Sequence, residues 1–342
     1  MTYAIMQNPR HIRVYLQQSG TIAINELIFT GQLLTSPLSS ICEKEIGGIP
    51  YIVFEQDDPL TASDIRRLSR LSFFYALFEQ RNGLLAPIAK DSGYFIDESI
   101  SAILKYSGKT NELFTRLMLN LALANQPGQV NILDPMAGKG TTLYEGLMQG
   151  HNVYGVEIDP KPAYESFVYI KKHFEMARYK HTSHTEKTGG IDPERKKFTA
   201  TRYQVEMARS KEEQKANEAR QFEIIASDTR NTSAFFKKNF FHAIIADLPY
   251  GVQHGAKNKP KEANLTRNAM SLLKDALPGW LKVLKPGGTI VLAWNLFLID
   301  RQSMEELFVN NGLTLPESFG ELSFSHRLDQ ATNRDLIVGV LQ

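Results

Sequence analysis

The sequence of 342 residues contains a single cysteine, Cys42, and no uninterrupted run of the roughly 18 apolar residues that a membrane span needs. One cysteine cannot form an internal disulfide, which agrees with a reducing compartment. We expect Cys42 to be a small buried apolar side chain and not a catalytic thiol. The start MTYAIMQNPRHIR lacks the basic region and apolar core of a secretion signal, so a cytoplasmic location without membrane association is expected.

The chain also has little net charge. Its formal value of +2 at pH 7 gives no argument for nucleic-acid binding from composition alone. The apolar fraction of 42% and the charged fraction of 22% are ordinary for globular proteins and exclude disordered and fibrous classes. The length predicts two domains. We expect a small α+β domain of unknown role at residues 1–104, with a strand at YIVFE and a helix over Ser63–Gln80, and a larger domain at residues 105–342.

From about residue 130 onward, short apolar runs alternate with helical stretches, a pattern typical of a parallel sheet with crossover helices. The predicted strands are Val130–Asp134, Asn152–Glu157, Phe222–Ala226, His242–Asp247 and Thr289–Trp294. The clearest predicted helices are Thr141–Met148, Leu265–Leu284 and Arg301–Val309. We expect Pro278-Gly279 to kink or break the second of these helices, because proline lacks the amide that a helix interior needs.

Three further segments complete the predicted order of elements. The sequence LKPGG at 284–288 indicates a turn into the strand TIVLAW. Near the end, ELSFS and DLIVGVL are predicted to be two closing strands. Residues of about 178–220 are polar and rich in Lys, Arg and Glu where a short connection normally joins two strands, so we interpret them as a basic helical insertion.

The most informative segment is DPMAGKGTT at 134–142, which lies directly after a predicted strand and directly before a helix. Glycines at 138 and 140 permit close approach of a ligand that a Cβ atom would block, at the sheet edge where α/β proteins bind ligands. A dinucleotide fingerprint would need a third glycine at Thr142 or Leu143. A phosphate loop would need Ser or Thr directly after Gly-Lys. The spacing excludes both.

Two more predicted strands end in acidic residues. Glu157 stands at the tip of NVYGVEID, where a carboxylate is suited to accept both hydroxyls of a ribose. Asp159, followed by Pro160, is predicted to cap a helix and to have no ligand role. The next strand leads into Ala226-Ser227-Asp228, and Asp228 could accept from an adenine amino group. Each carboxylate could by itself be an ordinary turn or cap residue, but three acidic tips around one glycine turn favour a nucleotide-like ligand.

These segments resemble those of class I S-adenosylmethionine-dependent methyltransferases, over roughly residues 105–342. The segment KYSGKTNELFTRLMLNL at 105–121 is similar to the helix that this group places beside the methionine end of its cofactor. The resemblance implies a Rossmann-like α/β fold with a mostly parallel sheet, an antiparallel last strand, and S-adenosyl-L-methionine as the cofactor. It implies cofactor contacts at Thr110, Phe114, Asp134, Ala137, Gly138, Gly140, Glu157, Ile158, Asp228 and Thr229.

The fourth of these strands leads into Asp247-Leu248-Pro249-Tyr250-Gly251, which resembles the Asp/Asn-Pro-Pro-Tyr/Phe motif of amino-methyltransferases. An exocyclic amine is a poor nucleophile because its lone pair is delocalised into the ring. Asp247 and the carbonyl of Leu248 could each accept one amino hydrogen, while Tyr250 could stack on a base. Leu248 replaces the first proline of the motif but keeps its carbonyl acceptor. The methyl donor is already activated, so we expect no metal to be needed.

Together with HRLDQATNRDLIVGVL at the end of the chain, the motif is most similar to that of tRNA-type guanosine-N2 methyltransferases. Lys257, Lys259 and Lys261 follow the motif, and we expect them to contact phosphates of RNA. Basic residues of the insertion could also do so, although interleaved glutamates favour ion pairs there. A DNA adenine-N6 or cytosine-N4 methyltransferase and a non-catalytic cofactor-binding subunit remain alternatives. The oligomeric state is left open.

Overall fold

The computed structural model describes residues 1–15, 18–101, 111–126, 128–192, 194–216, 218–249 and 269–342. In these ranges the strands β1–β15 are Thr2–Gln7, Ser39–Ile46, Ile49–Glu55, Phe74–Arg81, Leu84–Ile88, Asn131–Asp134, Asn152–Glu157, Lys180–Ile191, Lys197–Ala208, Arg220–Ala226, Phe241–Asp247, Leu284–Asn295, Leu313–Thr314, His326–Arg327 and Asn333–Leu341. The helices α1–α10 are Pro9–Tyr15, Ser19–Gly31, Ala62–Leu68, Glu112–Leu123, Thr141–Met148, Pro160–Met176, Lys211–Lys215, Thr232–Phe235, Ala269–Val283 and Arg301–Asn310.

The amino-terminal part of the chain forms an antiparallel sheet of order β2-β3-β1-β4-β5. Helices α2 and α3 cover one of its faces, where Ile5, Leu27 and Phe54 are buried in a shared core. This sheet with its helices is an α+β unit, as the sequence predicts. The predicted boundary between residues 104 and 105 falls in 102–110, which lie outside the described residues.

This amino-terminal unit packs directly on the second part of the chain. Tyr15 and Phe29 from α1 and α2 share a buried cluster with Phe114 and Leu117 of α4. The side-chain amide of Asn120 donates to the buried carboxylate of Glu26, with nitrogen and oxygen 2.8 Å apart. The two parts therefore share apolar and polar contacts along α4.

The second sheet has the order β13-β15-β12-β11-β6-β7-β10-β9-β8. The five strands β12, β11, β6, β7 and β10 run parallel, while β15 is antiparallel to β12. The helix α4 packs on one face, and α5 and α6 contribute to a separate buried cluster. This is the Rossmann-like, mostly parallel sheet with an antiparallel last strand that the sequence predicts.

Local sequence explains where the helices of this sheet begin. Asp159 accepts the amide of Lys161 at 2.9 Å and caps α6, whose first residue is Pro160, as predicted. Helix α9 continues through Pro278, so the helix does not break there, which was one of the two predicted outcomes, a kink or a break. Pro278 lies on the exposed face of the helix, where water can bond to a carbonyl that lacks its helical partner, while Leu277 and Trp280 anchor the buried face.

The insertion is not helical, and this prediction is wrong. Strands β8 and β9 form a long hairpin, with Lys180 opposite Ala208 and Ile191 opposite Lys197, and among the described residues of the insertion only the five-residue α7 is helical. Its sequence alternates with period two, so that Tyr203, Val205 and Met207 all face the core beside α6. The many Lys and Glu residues of the segment obscured that alternation.

Other local expectations also differ from the structure. The predicted helix Ser63–Gln80 ends at Leu68, because the aromatic-rich stretch after it pairs with β1 as β4. ELSFS is not a strand: the carbonyl of Ser323 accepts the side-chain amide of Asn25 at 2.7 Å, and the short strand β14, which pairs with β15, begins after it at His326. Cys42 is exposed, because it lies on the edge strand β2.

The predicted turn LKPGG lies within β12, at a register shift between β11 and β12, where Phe241 pairs with Leu284 and Ala243 pairs with Thr289. Gly287 has a φ of 74°, which is the conformation expected of a glycine in a tight turn. Among the helices of the described ranges, none is both long and apolar enough to cross a lipid bilayer.

Candidate active site

The predicted site residues lie at the carboxyl edge of the parallel strands β6, β7, β10 and β11. Backbone hydrogen bonds join the ends of neighbouring strands there. The amide of Ala137 donates to the carbonyl of Val156 at 2.9 Å, and the amide of Ser227 donates to the carbonyl of Glu157 at 2.8 Å. Because the strands are parallel, their ends bring residues far apart in sequence to one edge.

The glycine turn after β6 has the backbone conformation that its sequence predicts. Gly138 has a φ of 52° and Gly140 a φ of 89°, both in the left-handed region. A Cβ atom on Gly140 would lie 2.7 Å from Oγ of Ser166, whereas one on Gly138 would meet nothing within 4 Å. Gly140 is therefore required by packing inside the protein, while Gly138 faces open space that is free for a ligand.

Asp134, at the end of β6, is almost fully buried beneath this turn. Its Oδ1 accepts the amide of Met136 at 3.0 Å. Its pKa is raised to about 7, mainly by burial and also by the nearby carboxylates of Asp247 and Glu157, while hydrogen bonds from Thr142 and Met136 act in the opposite direction. Three carboxylates thus lie close enough to influence one another, an environment that suits a positively charged ligand.

Glu157 ends β7, and its carboxylate is oriented by two backbone amides. Gly138 donates to Oε2 at 2.7 Å, and Asp159 donates to Oε1 at 2.8 Å. A carboxylate has about four lone-pair positions, so each oxygen keeps acceptor capacity for a hydroxyl group. Burial raises the pKa of Glu157. The next side chain, Ile158, is 61% exposed and offers an apolar surface beside this carboxylate.

The third acidic tip is engaged within the protein. Asp228 forms a two-point ion pair with Arg230, with Oδ2 and Nη2 2.7 Å apart, and it caps the turn that begins at Thr229. Burial opposes ionisation, but the hydrogen bonds from Arg230 lower the pKa of Asp228. The hydroxyl of Thr229 accepts the indole N–H of Trp280 at 3.0 Å. Asp228 also lines a cavity of about 420 Å³ together with Arg230 and Asp275.

Asp247 ends β11, the strand between β6 and β12. Its side chain is 15% exposed, and its Oδ2 lies 3.6 Å from Nη2 of Arg334. The amide of Leu248 donates to the carbonyl of Ala293 at 2.9 Å, a bond that a proline at this motif position could not make. The Leu248 side chain is buried in the core formed with α9, and the half-buried Pro249 follows it. The motif backbone is therefore fixed to β12.

The remaining predicted site residues fall into two groups. Phe114 lies on α4 with a fully buried ring that contacts the guanidinium of Arg334 and the ring of His326. Outside the described residues are Thr110, Tyr250, Lys257, Lys259 and Lys261.

Sequence reasoning missed two residues that shape this edge. A Cβ atom on Gly155 of β7 would lie 2.9 Å from both Ala137 and Leu143, so this glycine lets the turn pack on the strand. A lone glycine inside an apolar strand is the signal that could have identified it. The other is Arg334, whose signal is a charged pair, Arg334-Asp335, opening the apolar run of β15.

The strand order β10-β7-β6-β11-β12-β15-β13, with a glycine turn after the central strand and acidic residues at the next strand ends, defines a class I S-adenosylmethionine-dependent methyltransferase. Within this class, the chain belongs to the family of RMKL-like methyltransferase domains, whose model matches residues 105–315. The protein is thus a methyltransferase, and its cofactor is S-adenosyl-L-methionine. A search of curated protein sequences gave no match.

Several solved methyltransferase structures are similar to this fold at low sequence identity. RsmC of T. thermophilus, a 16S rRNA N2 guanosine methyltransferase solved with AdoMet and guanosine, is 16% identical, with a TM-score of 0.36 over 87% of this chain and 57% of that chain. A TehB-like SAM-dependent methyltransferase from Corynebacterium glutamicum is 16% identical, with a TM-score of 0.35 over 66% and 87% of the two chains. The class assignment rests on the family match and the strand order.

Proposed function

We propose that this methyltransferase acts on an exocyclic amino nitrogen of a nucleic-acid base, namely N2 of guanosine in tRNA or another structured RNA. The observation that carries this proposal is the position of Asp247. Its carboxylate ends β11 close enough to Asp134 to raise the pKa of that residue, and it is followed by a backbone fixed to β12. A hydrogen-bond acceptor therefore stands beside the turn proposed to hold the methionine end of the cofactor.

The turn and strand ends supply a cofactor site of suitable chemistry. The open space at Gly138 suits the aminocarboxypropyl group of the cofactor. The two oriented oxygens of Glu157 suit its ribose, and the exposed Ile158 suits its adenine. The buried carboxylate of Asp134 suits the positively charged end of the ligand. We assign cofactor contacts to Thr110, Phe114, Asp134, Ala137, Gly138, Gly140, Glu157, Ile158, Asp228 and Thr229.

The bound cofactor supplies a methyl group that is already activated by a sulfonium. The protein must then orient the amine and exclude water. Asp247 accepts one N–H and the carbonyl of Leu248 accepts the other, which turns the lone pair of the nitrogen towards the methyl carbon. On transfer the electron pair of the C–S bond would stay on sulfur as the new N–C bond forms, and Asp247 or water would accept the proton that the substrate amine then loses. Pro249 and Tyr250 complete the motif, with Tyr250 stacking on the base.

Lys257, Lys259 and Lys261 follow Tyr250 in the sequence and support a nucleic-acid substrate, because phosphate contacts there would hold the strand on either side of the stacked base. RNA is favoured over DNA by the resemblance of the motif and of the carboxyl-terminal segment to guanosine-N2 enzymes. DNA adenine-N6 and cytosine-N4 are the alternative target atoms, and a non-catalytic subunit would show no transfer at all.

Nucleoside identification tests the proposal directly. Purified protein is incubated with methyl-labelled cofactor, total RNA and genomic DNA, and the nucleic acids are then digested and separated. We expect label in N2-methylguanosine from RNA, and none with the Asp247→Ala variant. Label in N6-methyladenine or N4-methylcytosine of DNA, with none in guanosine, would reject this target. Binding of the cofactor without transfer to either nucleic acid would favour the non-catalytic subunit.

A further inference from the structure

Arg334 lies at the candidate active site although the sequence assigns it no role. It is the second residue of β15, paired with Asn295 of β12, and its side chain is only 6% exposed. Its guanidinium contacts two site residues at once: Nη2 lies 3.6 Å from Oδ2 of Asp247, and Cζ lies 4.2 Å from the centre of the Phe114 ring. Arg334 therefore stands between the amine acceptor and the helix α4.

We propose that Arg334 is a positioning residue for methyl transfer, which holds the carboxylate of Asp247 in place and oriented towards the substrate amine. This inference rests on the proposed function, because it concerns the role that we assign to Asp247. Arg334 acts on the reaction through Asp247 and does not itself contact the reacting atoms.

The electrostatics of the site explain why such a residue is needed. Asp134, Glu157 and Asp247 are three carboxylates near one strand edge, and their like charges repel one another. A guanidinium 3.6 Å from Oδ2 of Asp247 offsets this repulsion and draws the carboxylate into one direction. The low exposure of both side chains limits screening by solvent and salt.

The surrounding backbone holds Arg334 in one place. The side-chain oxygen of Asn295 accepts the amide of Asn333 at 3.0 Å, and its side-chain amide donates to the carbonyl of Ala331 at 3.0 Å. His326 pairs with Arg334 on the other side, and burial lowers the pKa of His326 to about 4, so this neighbour is neutral. Burying a guanidinium is costly unless a carboxylate pairs with it, and Asp247 meets that need.

Kinetics of three variants separate positioning from general structural support. We expect Arg334→Gln to bind S-adenosylhomocysteine within about threefold of wild type, to lose at least about thirtyfold in kcat, and to change KM for RNA by less than about threefold. Arg334→Lys keeps the charge and should recover about tenfold of the loss. The matched control is Arg301→Gln. Arg301, on α10, forms an ion pair of 2.9 Å with Asp335, the residue of β15 next to Arg334. Breaking this pair should leave kcat within about threefold of wild type.

A double-mutant cycle with Asp247→Asn decides whether Arg334 acts through Asp247. If it does, Arg334→Gln costs no more than about twofold in kcat once Asp247 is already replaced. The proposal would be overturned if the losses in kcat multiply across the two sites, or if kcat is unchanged in Arg334→Gln. It would also be overturned if Arg301→Gln loses as much kcat as Arg334→Gln. Should Arg334→Gln not fold, the same cycle is run with Arg334→Lys.

The same four proteins give a second cycle in unfolding free energy, which needs no substrate. One possible result is that the two substitutions are coupled in unfolding free energy while no methyl group is transferred to any nucleic acid. This result would reject the proposed function but would confirm the contact between Arg334 and Asp247. Transfer to RNA together with additive effects on kcat would reject the positioning role and leave the proposed function intact.

Discussion

The backbone amide of Gly138 donates a hydrogen bond to Oε2 of Glu157, with nitrogen and oxygen 2.7 Å apart. This bond joins the glycine turn after β6 to the tip of β7. The two residues were identified separately from the sequence, one for its backbone freedom and the other for its charge. The structure shows that they form one unit, so a change at the turn also alters the orientation of the proposed ribose acceptor.

Replacing Gly138 with leucine should abolish binding of S-adenosylmethionine. The wild-type protein should bind in the micromolar range, on the order of −8 kcal/mol. Leucine would fill the open space at Gly138 and strain a backbone with a φ of 52°. Gly287→Leu is the matched control, because Gly287 also has a positive φ and open space around its Cβ position. It lies near the start of β12, whereas the candidate site lies where the parallel strands end. Calorimetry showing unchanged affinity in Gly138→Leu would reject the cofactor site.

The Asp247→Ala variant should retain the cofactor and lose turnover by at least about a hundredfold, because one oriented acceptor at a reacting centre contributes roughly 3 kcal/mol. Calorimetry with S-adenosylhomocysteine and single-turnover methylation measure the two effects separately. Asp300→Ala serves as the control: it removes the cap of α10, should cost about 1 kcal/mol of stability, and should not change turnover. Full activity in Asp247→Ala would show that the active site lies elsewhere.

The parts of the site that could be predicted from sequence are those fixed by local chemistry. A glycine turn between strand and helix, a carboxylate at a strand tip and an Asp-Pro cap each depend on a few adjacent residues, and Gly140, Glu157 and Asp159 lie as expected. Strand β7 and helix α5 even have their predicted bounds, since strong apolar periodicity ends at clear polar or glycine residues.

What could not be predicted depends on contacts across the fold. Arg334 reaches Asp247 only because β12 lies between their strands, and that neighbourhood follows from sheet order and not from spacing along the chain. The hairpin of β8 and β9 could not be predicted because its many charged residues conceal the alternation of buried and exposed side chains along each strand. Arg202 of β9 shows how such a charge is accommodated: it forms ion pairs of 3.0 Å with Glu186 and 3.2 Å with Glu223.

The buried carboxyl of Asp134 should make stability depend on pH. Its pKa is raised from 3.8 to about 7 in the folded protein. A raised pKa means that the folded state holds a proton that the unfolded state has lost. The contribution of Asp134 to stability is therefore fully present below pH 3.8 and is lost as pH rises through about 7. The total change is on the order of 4 kcal/mol.

Asp134→Asn, which keeps an acceptor for Met136, should consequently become more stable relative to wild type as pH is raised from 5 to about 8. Thermal unfolding of both proteins across this range measures the effect. The cationic end of the cofactor should favour ionised Asp134, so its binding should release a proton near pH 7 and tighten with increasing pH. Calorimetry in buffers of different ionisation enthalpy detects that release. Equal slopes for wild type and Asp134→Asn would contradict the assignment.

The RNA contacts proposed for Lys257, Lys259 and Lys261 should be visible in the salt dependence of binding. In a paired helix the N2 amine of guanosine faces the minor groove, so the base must leave the stack at a cost of a few kcal/mol. Phosphate contacts by these lysines could offset that cost. Affinity for RNA should then fall steeply with salt, and reversing all three charges to glutamate should reduce the slope by about 0.7 to 0.9 per lost contact.

Reversal of Lys211, Lys215 and Lys238 is the matched control, because these exposed lysines precede β10 and β11 and so lie at the opposite edge of the sheet. The control should lower overall affinity slightly through net charge and leave the slope nearly unchanged. Fluorescence anisotropy with a labelled tRNA at several salt concentrations gives both slopes. If the two triple variants flatten the slope equally, the three lysines after the motif do not form a specific phosphate contact. If neither does, RNA is held by another surface of the protein.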